Sequence, residues 1–164
     1  MRQVISGLVL TGLIVSGVVA KERYTTLAAG SFFGDLPSQT HYSIATEGFI
    51  GDLSPRVSEG VIVGMSLGFA YGRKDNMDHF DSFVDIRPGY KIGRNMTIYG
   101  IAGLSVGSLK NEAMYGGEVG TGFRIYFDDF KYTMGVDYKY GWYKDEAGLD
   151  PKMSKLMGVI GVRF

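Results

Sequence analysis

FKYTMGVDYKYGWY, residues 130–143, decides the fold. Read two at a time, it separates into Phe130, Tyr132, Met134, Val136, Tyr138, Tyr140 and Trp142 on one side and Lys131, Thr133, Gly135, Asp137, Lys139 and Gly141 on the other. Successive side chains of a strand point to opposite faces, so this is a strand with one apolar and one polar face. The apolar face is graded, with aromatic residues towards its ends and aliphatic ones between them. Twelve steps from Phe130 to Trp142, at about 3.3 Å each and tilted by about 40°, span roughly 30 Å, the height of a bilayer's apolar band with its two aromatic girdles. A strand in water has no reason to be graded in this way.

Working outward, seven further stretches have strand character and none has a helical period: 23–33, 41–50, 59–71, 80–92, 96–107, 116–127 and 154–164. In the third, Val61, Val63, Met65, Leu67, Phe69 and Tyr71 oppose Gly60, Ile62, Gly64, Ser66, Gly68 and Ala70. In the fourth, Val84, Ile86, Pro88, Tyr90 and Ile92 oppose Asp85, Arg87, Gly89 and Lys91. Pro88 forfeits a ladder hydrogen bond and predicts a local irregularity. The first, second and fifth stretches do not divide cleanly into two faces.

The connections alternate. Those at 93–95 and 128–129 are minimal, whereas GRKDNMDH (72–79), SLKNEAMY (108–115) and KDEAGLDPKM (144–153) are long and polar. Short turns on one side and long loops on the other are the habit of an up-and-down membrane barrel, which places both chain ends on the short-turn side. GDLSPRVS (51–58) is longer than its class predicts.

At the N-terminus, MRQ supplies a basic start, VISGLVLTGLIVSGVV an apolar stretch and Val18-Val19-Ala20 a small-residue cleavage site before the charged KER. This reads as a secretory signal peptide over residues 1–20, with a single uncleaved membrane helix as the competing reading. The 164 residues fit one domain, here 21–164, and 17 basic against 17 acidic residues give no electrostatic case for nucleic acid. With no cysteine, disulfides, thiolate metal sites and a cysteine nucleophile are excluded. The 25 glycines lie among aromatic and β-branched residues, which implies closely packed or bent strands.

The chain closes on KLMGVIGVRF, with Leu156, Ile160, Val162 and Phe164 on one face and Lys155 and Arg163 on the other. With eight strands, this alternation resembles the small eight-stranded outer-membrane β-barrels of Gram-negative bacteria, the OmpA and OmpX-like group among the porin-family outer-membrane proteins. The resemblance covers residues 21–164. It implies an all-β, antiparallel, up-and-down transmembrane barrel in the outer membrane, without a peptidoglycan-binding domain. Ile160, Val162 and Phe164 would then be read by the barrel assembly machinery, and the outer surface would meet membrane lipid and lipopolysaccharide.

Facing assigns the rest. A lumen ion-pair network is expected from Glu47, Asp85, Arg87, Lys91, Glu118, Arg124, Lys131, Asp137, Lys139 and Arg163, because an eight-stranded interior is just wide enough for side chains and enclosed charges must pair. A lipid-facing aromatic girdle is expected from Tyr71, Tyr90, Phe127, Phe130, Tyr138, Tyr140, Trp142 and Phe164. His41-Tyr42-Ser43 puts a His and a Ser on one face with Glu47, an arrangement similar to the His-x-Ser pair of lipid A deacylases, although there the pair lies towards the C-terminal end. Asp75, Asp78, His79 and Asp81 gather oxygen and nitrogen ligands in what reads as a solvated loop, at a spacing that fits neither an EF-hand nor a zinc motif. The Asn95-Met96-Thr97 sequon carries no weight in a tight turn, and GEVGTG (117–122) lacks the Lys and helix of a phosphate loop.

Three functions follow. The first is a non-enzymatic, cofactor-free outer-membrane protein with a structural role or a surface ligand at its long loops. The second is a narrow passive channel for ions or very small solutes. The third is a soluble lipocalin-like barrel with its apolar faces inward, a reading that would cram the bulky face of 130–142 into a small lumen.

Overall fold

The computed structural model describes residues 22–35, 39–50, 59–74, 77–109, 112–145, 148 and 150–164. The N-terminal segment read as a signal peptide, the connection 51–58 and Asp75 lie outside them. Eight strands follow in order: β1 (Glu22–Gly34), β2 (Gln39–Ile50), β3 (Glu59–Lys74), β4 (Met77–Ile92), β5 (Met96–Leu109), β6 (Glu112–Phe127), β7 (Tyr132–Asp145) and β8 (Lys152–Arg163). Each pairs antiparallel with the next, and β8 closes on β1.

The register fixes the barrel's dimensions. Stepping across the ladders from Arg23 leads through Gly48, Met65, Ile86, Ala102, Val119, Tyr140 and Ser154, and arrives back on β1 at Phe33, ten residues further along. With strands about 4.8 Å apart, that stagger tilts them by about 40° and sets a radius of about 8 Å. Such an interior holds side chains and little else.

The strands outrun the sequence reading at one end. β3, β4 and β6 are 16 residues long, leaving only residues 75–76 between β3 and β4 and 110–111 between β5 and β6. Most of GRKDNMDH and SLKNEAMY is therefore strand, not loop. Polar side chains do not prevent this once the ladder supplies partners: Arg73 and Asp78 are cross-strand neighbours 3.5 Å apart, and the Tyr71 hydroxyl donates to Asp78 at 3.0 Å. A tilted 16-residue strand stands about 40 Å tall, taller than the ~25 Å apolar band of such barrels.

Outside and inside alternate as the graded stretch implied. Leu27, Ile44, Val61, Ile86, Leu104, Met134, Leu156 and Ile160 face outward and exposed, while the buried inner face carries acids, bases and aromatics. This is the inverse of a lipocalin-like barrel, and that reading falls. The three ambiguous strands resolve as Tyr24, Thr26 and Phe32 inward on β1, His41, Ala45, Glu47 and Phe49 on β2, and Thr97, Tyr99, Ile101 and Ser105 on β5. At Pro88 the β4–β5 ladder lapses, with no partners for Arg87 or Pro88, and resumes in unchanged register at Gly89 opposite Tyr99. The irregularity is a gap rather than a bulge.

One turn overturns two assignments. Asp128, Asp129 and Phe130 all adopt positive φ, at 49°, 50° and 68°, a left-handed run that is rare without glycine. It turns Phe130 into the barrel and leaves Lys131 exposed. Phe130 stacks on Tyr126 with centroids 4.9 Å apart, and its carbonyl accepts the Tyr24 hydroxyl at 2.9 Å. Phe130 therefore belongs to the core and not to the outer girdle, and Lys131 to the rim and not to the lumen.

Candidate functional site

The interior is built in layers. At the end bearing the chain termini, Tyr24, Phe49, Ile62, Tyr126 and Phe130 close the lumen with apolar rings. At the other end Phe32, Met114, Tyr143 and Met153 do the same. Between them runs a chain of buried ion pairs that changes sign at every link. From the far end it passes from Asp81 to Lys155 (2.9 Å), from Lys155 to Glu118, from Glu118 to Lys139 (3.1 Å) and from Lys139 to Asp85 (2.7 Å). It continues from Asp85 to Arg87 (3.3 Å), Arg87 to Glu47 (2.6 Å), Glu47 to Arg124 (2.9 Å) and Arg124 to Asp137 (2.7 Å). Arg87 also reaches Asp137 at 3.3 Å, which closes the last four residues into a ring.

Each link has a local reason. Lys139 and Lys155 stand directly opposite each other on β7 and β8, a destabilising like-charge pair, and the Glu118 carboxylate resolves it by accepting from both. Arg124 spans both oxygens of Asp137 and also reaches Glu47, a fork geometry that lysine lacks. Tyr99 donates to Asp137 at 2.6 Å, and Tyr143 to Glu118. Glycines give these groups their space. Gly103 stands beside Asp85 and Glu118, and Gly122 beside Asp137; a Cβ at either would fall on a carboxylate oxygen.

Of the ten residues expected in the lumen, Glu47, Asp85, Arg87, Lys91, Glu118, Arg124, Asp137 and Lys139 are buried there. Lys91 lies apart from the chain, its ammonium 5.0 Å from the Phe130 ring centroid. Lys131 is outside, and Arg163 sits at the rim, 40 % exposed and paired with Glu22 at 3.0 Å. The interior also takes four residues the expected set lacked: His41, His79, Asp81 and Lys155. Their signal was present, since His79 and Asp81 continue the inward face of Asp85 and Arg87, and Lys155 opposes Leu156. With them the buried set has five carboxylates and five Lys or Arg side chains, which balances its charge.

The other motifs dissolve into the same architecture. His41 packs on Phe32, ring centroids 4.1 Å apart, and among the described residues neither of its nitrogens is hydrogen-bonded to Ser43 or to any other group. Glu47 is held by two arginines, so the triplet assembles no relay. Asp78 faces outward, whereas His79 and Asp81 are buried and in contact at 3.0 Å, which replaces the solvated loop with strand. Among the described residues, no three or more His, Asp or Glu ligands are grouped to hold a metal. GEVGTG lies inside β6. Tyr71, Tyr90, Phe127, Tyr138, Tyr140, Trp142 and Phe164 all face outward and exposed.

A closed eight-stranded barrel, charged within and apolar without, can be compared with solved folds. Neisserial surface protein A aligns over 87 % of this chain and 96 % of its own, with a TM-score of 0.60 and 12 % identity. The fold is that of the small eight-stranded outer-membrane barrels. Ail, the attachment invasion locus protein of Yersinia pestis, covers 87 % of this chain and 97 % of its own (TM-score 0.52, 15 % identity). The outer membrane enzyme PagL covers 85 % and 98 % (TM-score 0.56, 12 % identity). No family model matches the sequence, and no curated protein sequence does.

Proposed function

We propose that the protein is an integral outer-membrane barrel with a closed lumen, serving the envelope as a structural element and presenting its protruding strand ends to surface ligands. The sign-alternating ion-pair chain, capped by apolar rings at both ends, carries this reading. Every charge in that chain has a partner of opposite sign, and an interior of this size is filled by its own side chains. The exposed aliphatic outer wall flanked by aromatic residues supports a bilayer as its surroundings. Two proteins of the same fold are named for surface or attachment roles, which supports the second half of the reading.

In this reading residues 1–20 export the chain, and Ile160, Val162 and Phe164, all outward-facing, present the assembly signal. Deleting Phe164 should leave unfolded periplasmic protein and little in the membrane fraction; wild-type membrane levels would refute that role. The test of the whole proposal is purified protein in planar bilayers, after heat-modifiable migration on a gel has shown a folded barrel. Absence of steady conductance is expected. Stable ion-selective currents abolished by neutralising Arg124 or Lys139 would instead establish a channel.

A further inference from the structure

The outer wall is not uniform. Gly117 of β6 points outward yet is covered, because the Trp142 indole lies against it: a Cβ at Gly117 would come within 2.6 Å of the indole Cζ2 and 3.1 Å of Nε1. The register sets two outward rows side by side here, Leu104–Gly117–Trp142 and, one step nearer the end remote from the chain termini, Val106–Tyr115–Lys144. With no side chain at the centre of the first row, a trough of about 340 Å³ opens beside the indole, floored by glycine and walled by Leu104, Val106 and Trp142. Lys144 stands at its upper edge, exposed and without an ion pair among the described residues. A second outward trough, on β7, β8 and β1, has walls such as Leu27, Met134 and Ile160 and no charged residue.

We propose that the Trp142 trough is a lipid site that seats an acyl chain beside the indole, against Leu104 and Val106, and binds the lipid's phosphate at Lys144, and that its occupant is a phosphorylated glycolipid of the lipid A type. The proposal rests on the outer-membrane reading above, which turns this end of the barrel towards the outer leaflet. Three properties select the occupant. The floor accepts only hydrocarbon, the single unneutralised cation at its edge calls for an anion, and Tyr115 and Trp142 are the amphipathic side chains that settle where acyl chains meet headgroups. A lysine ammonium is a compact point charge that suits a phosphate without demanding a fixed fork geometry.

Trp142 is the only tryptophan in the chain, so its fluorescence reports on this trough alone. The mature protein is reconstituted in vesicles of dibrominated phosphatidylcholine, whose bromines quench it, and unbrominated diphosphoryl lipid A is titrated in against unbrominated phosphatidylcholine. Lipid A should relieve quenching at a mole fraction about fivefold lower, the effect of one basic side chain at an anionic membrane surface. Lys144→Gln should bring the two lipids level, and Lys144→Arg should keep the preference. Equal relief by both lipids in the unmutated protein, or a preference that survives Lys144→Gln, would overturn the site. No quenching at all in brominated vesicles would overturn the membrane reading beneath it.

Discussion

Along β7 the outer wall carries Tyr132, Met134, Val136, Tyr138, Tyr140 and Trp142, and the inner wall Thr133, Gly135, Asp137, Lys139, Gly141 and Tyr143. The two walls are one residue out of step and obey different rules. Outside, size and apolarity matter and individual contacts matter little, so bulky side chains stand side by side. Inside, the charged groups of the ion-pair chain are committed to named partners, and glycine recurs because neighbouring groups occupy the space a side chain would take. A given residue type therefore has a different meaning on each wall. Tyr138 outside is an exposed ring, whereas Tyr143 inside is a buried donor to Glu118.

The largest effect should come from breaking the inner wall at its most deeply buried arginine. Arg124→Ala removes partners from Asp137 and Glu47 together, and uncompensated buried charge costs about 3–5 kcal/mol. Urea unfolding in phospholipid vesicles measures it. Arg124→Lys should recover only part of the loss, because an ammonium cannot span both Asp137 oxygens. Full recovery would mean that charge alone, not the fork, holds the ring.

The outer wall is broken in the opposite sense, by adding charge. Val136→Arg puts a guanidinium among the aliphatic outward side chains of β7, and near a bilayer midplane that costs about 2–4 kcal/mol. The same unfolding experiment reads it. A negligible effect in vesicles would show that this wall does not face acyl chains.

How much of this was legible depended on whether local period or tertiary context decided the residue. The strand count and the walls of β3, β4 and β7 follow from period-2 alternation, which needs no knowledge of neighbours. β1, β2 and β5 resisted because their inner faces hold Tyr24, Phe32, Phe49 and Tyr99, apolar rings that close the lumen or cover its arginines and look like outer-wall residues. Alternation ends the strands too early because strands that rise beyond an apolar band become polar on their outer face too, as at Arg73 and Asp78. Alternation alone misplaces Phe130 and Lys131, because the left-handed residues of the turn reset it. The individual ion pairs lay beyond reach, since they join residues as far apart as Glu47 and Arg124, and the stagger that brings them together is a property of the closed sheet.

A finer comparison uses two glycines of β5. Gly103 faces inward beside the Asp85 carboxylate, where a Cβ has no room, so Gly103→Ala should cost about 1–3 kcal/mol through overpacking. Gly100 faces outward, and a Cβ there would meet only the Gly120 and Pro88 carbonyl oxygens at 3.9 Å. Gly100→Ala should be neutral or stabilise by up to about 1 kcal/mol, because alanine loses less conformational freedom in a strand. Equal penalties at the two sites would show that strand geometry rather than the crowded lumen selects glycine.

The smallest effect is expected at the residue whose wall the turn changed. Lys131 and Arg124 flank the same turn, and both belong to the inner face if alternation is extended through residues 128–130. In the structure Lys131 is exposed at the rim and the Asp128–Phe130 run separates it from the inner wall. Lys131→Ala should accordingly change unfolding free energy by no more than about 0.5 kcal/mol, as for an ordinary surface substitution. The pair makes a sharp test because the two substitutions remove the same formal charge from the same end of the barrel, so long-range electrostatics affects them alike. Only local burial distinguishes them. A loss at Lys131 comparable to that at Arg124 would mean that the turn does not invert and that the inner wall runs on to Lys131.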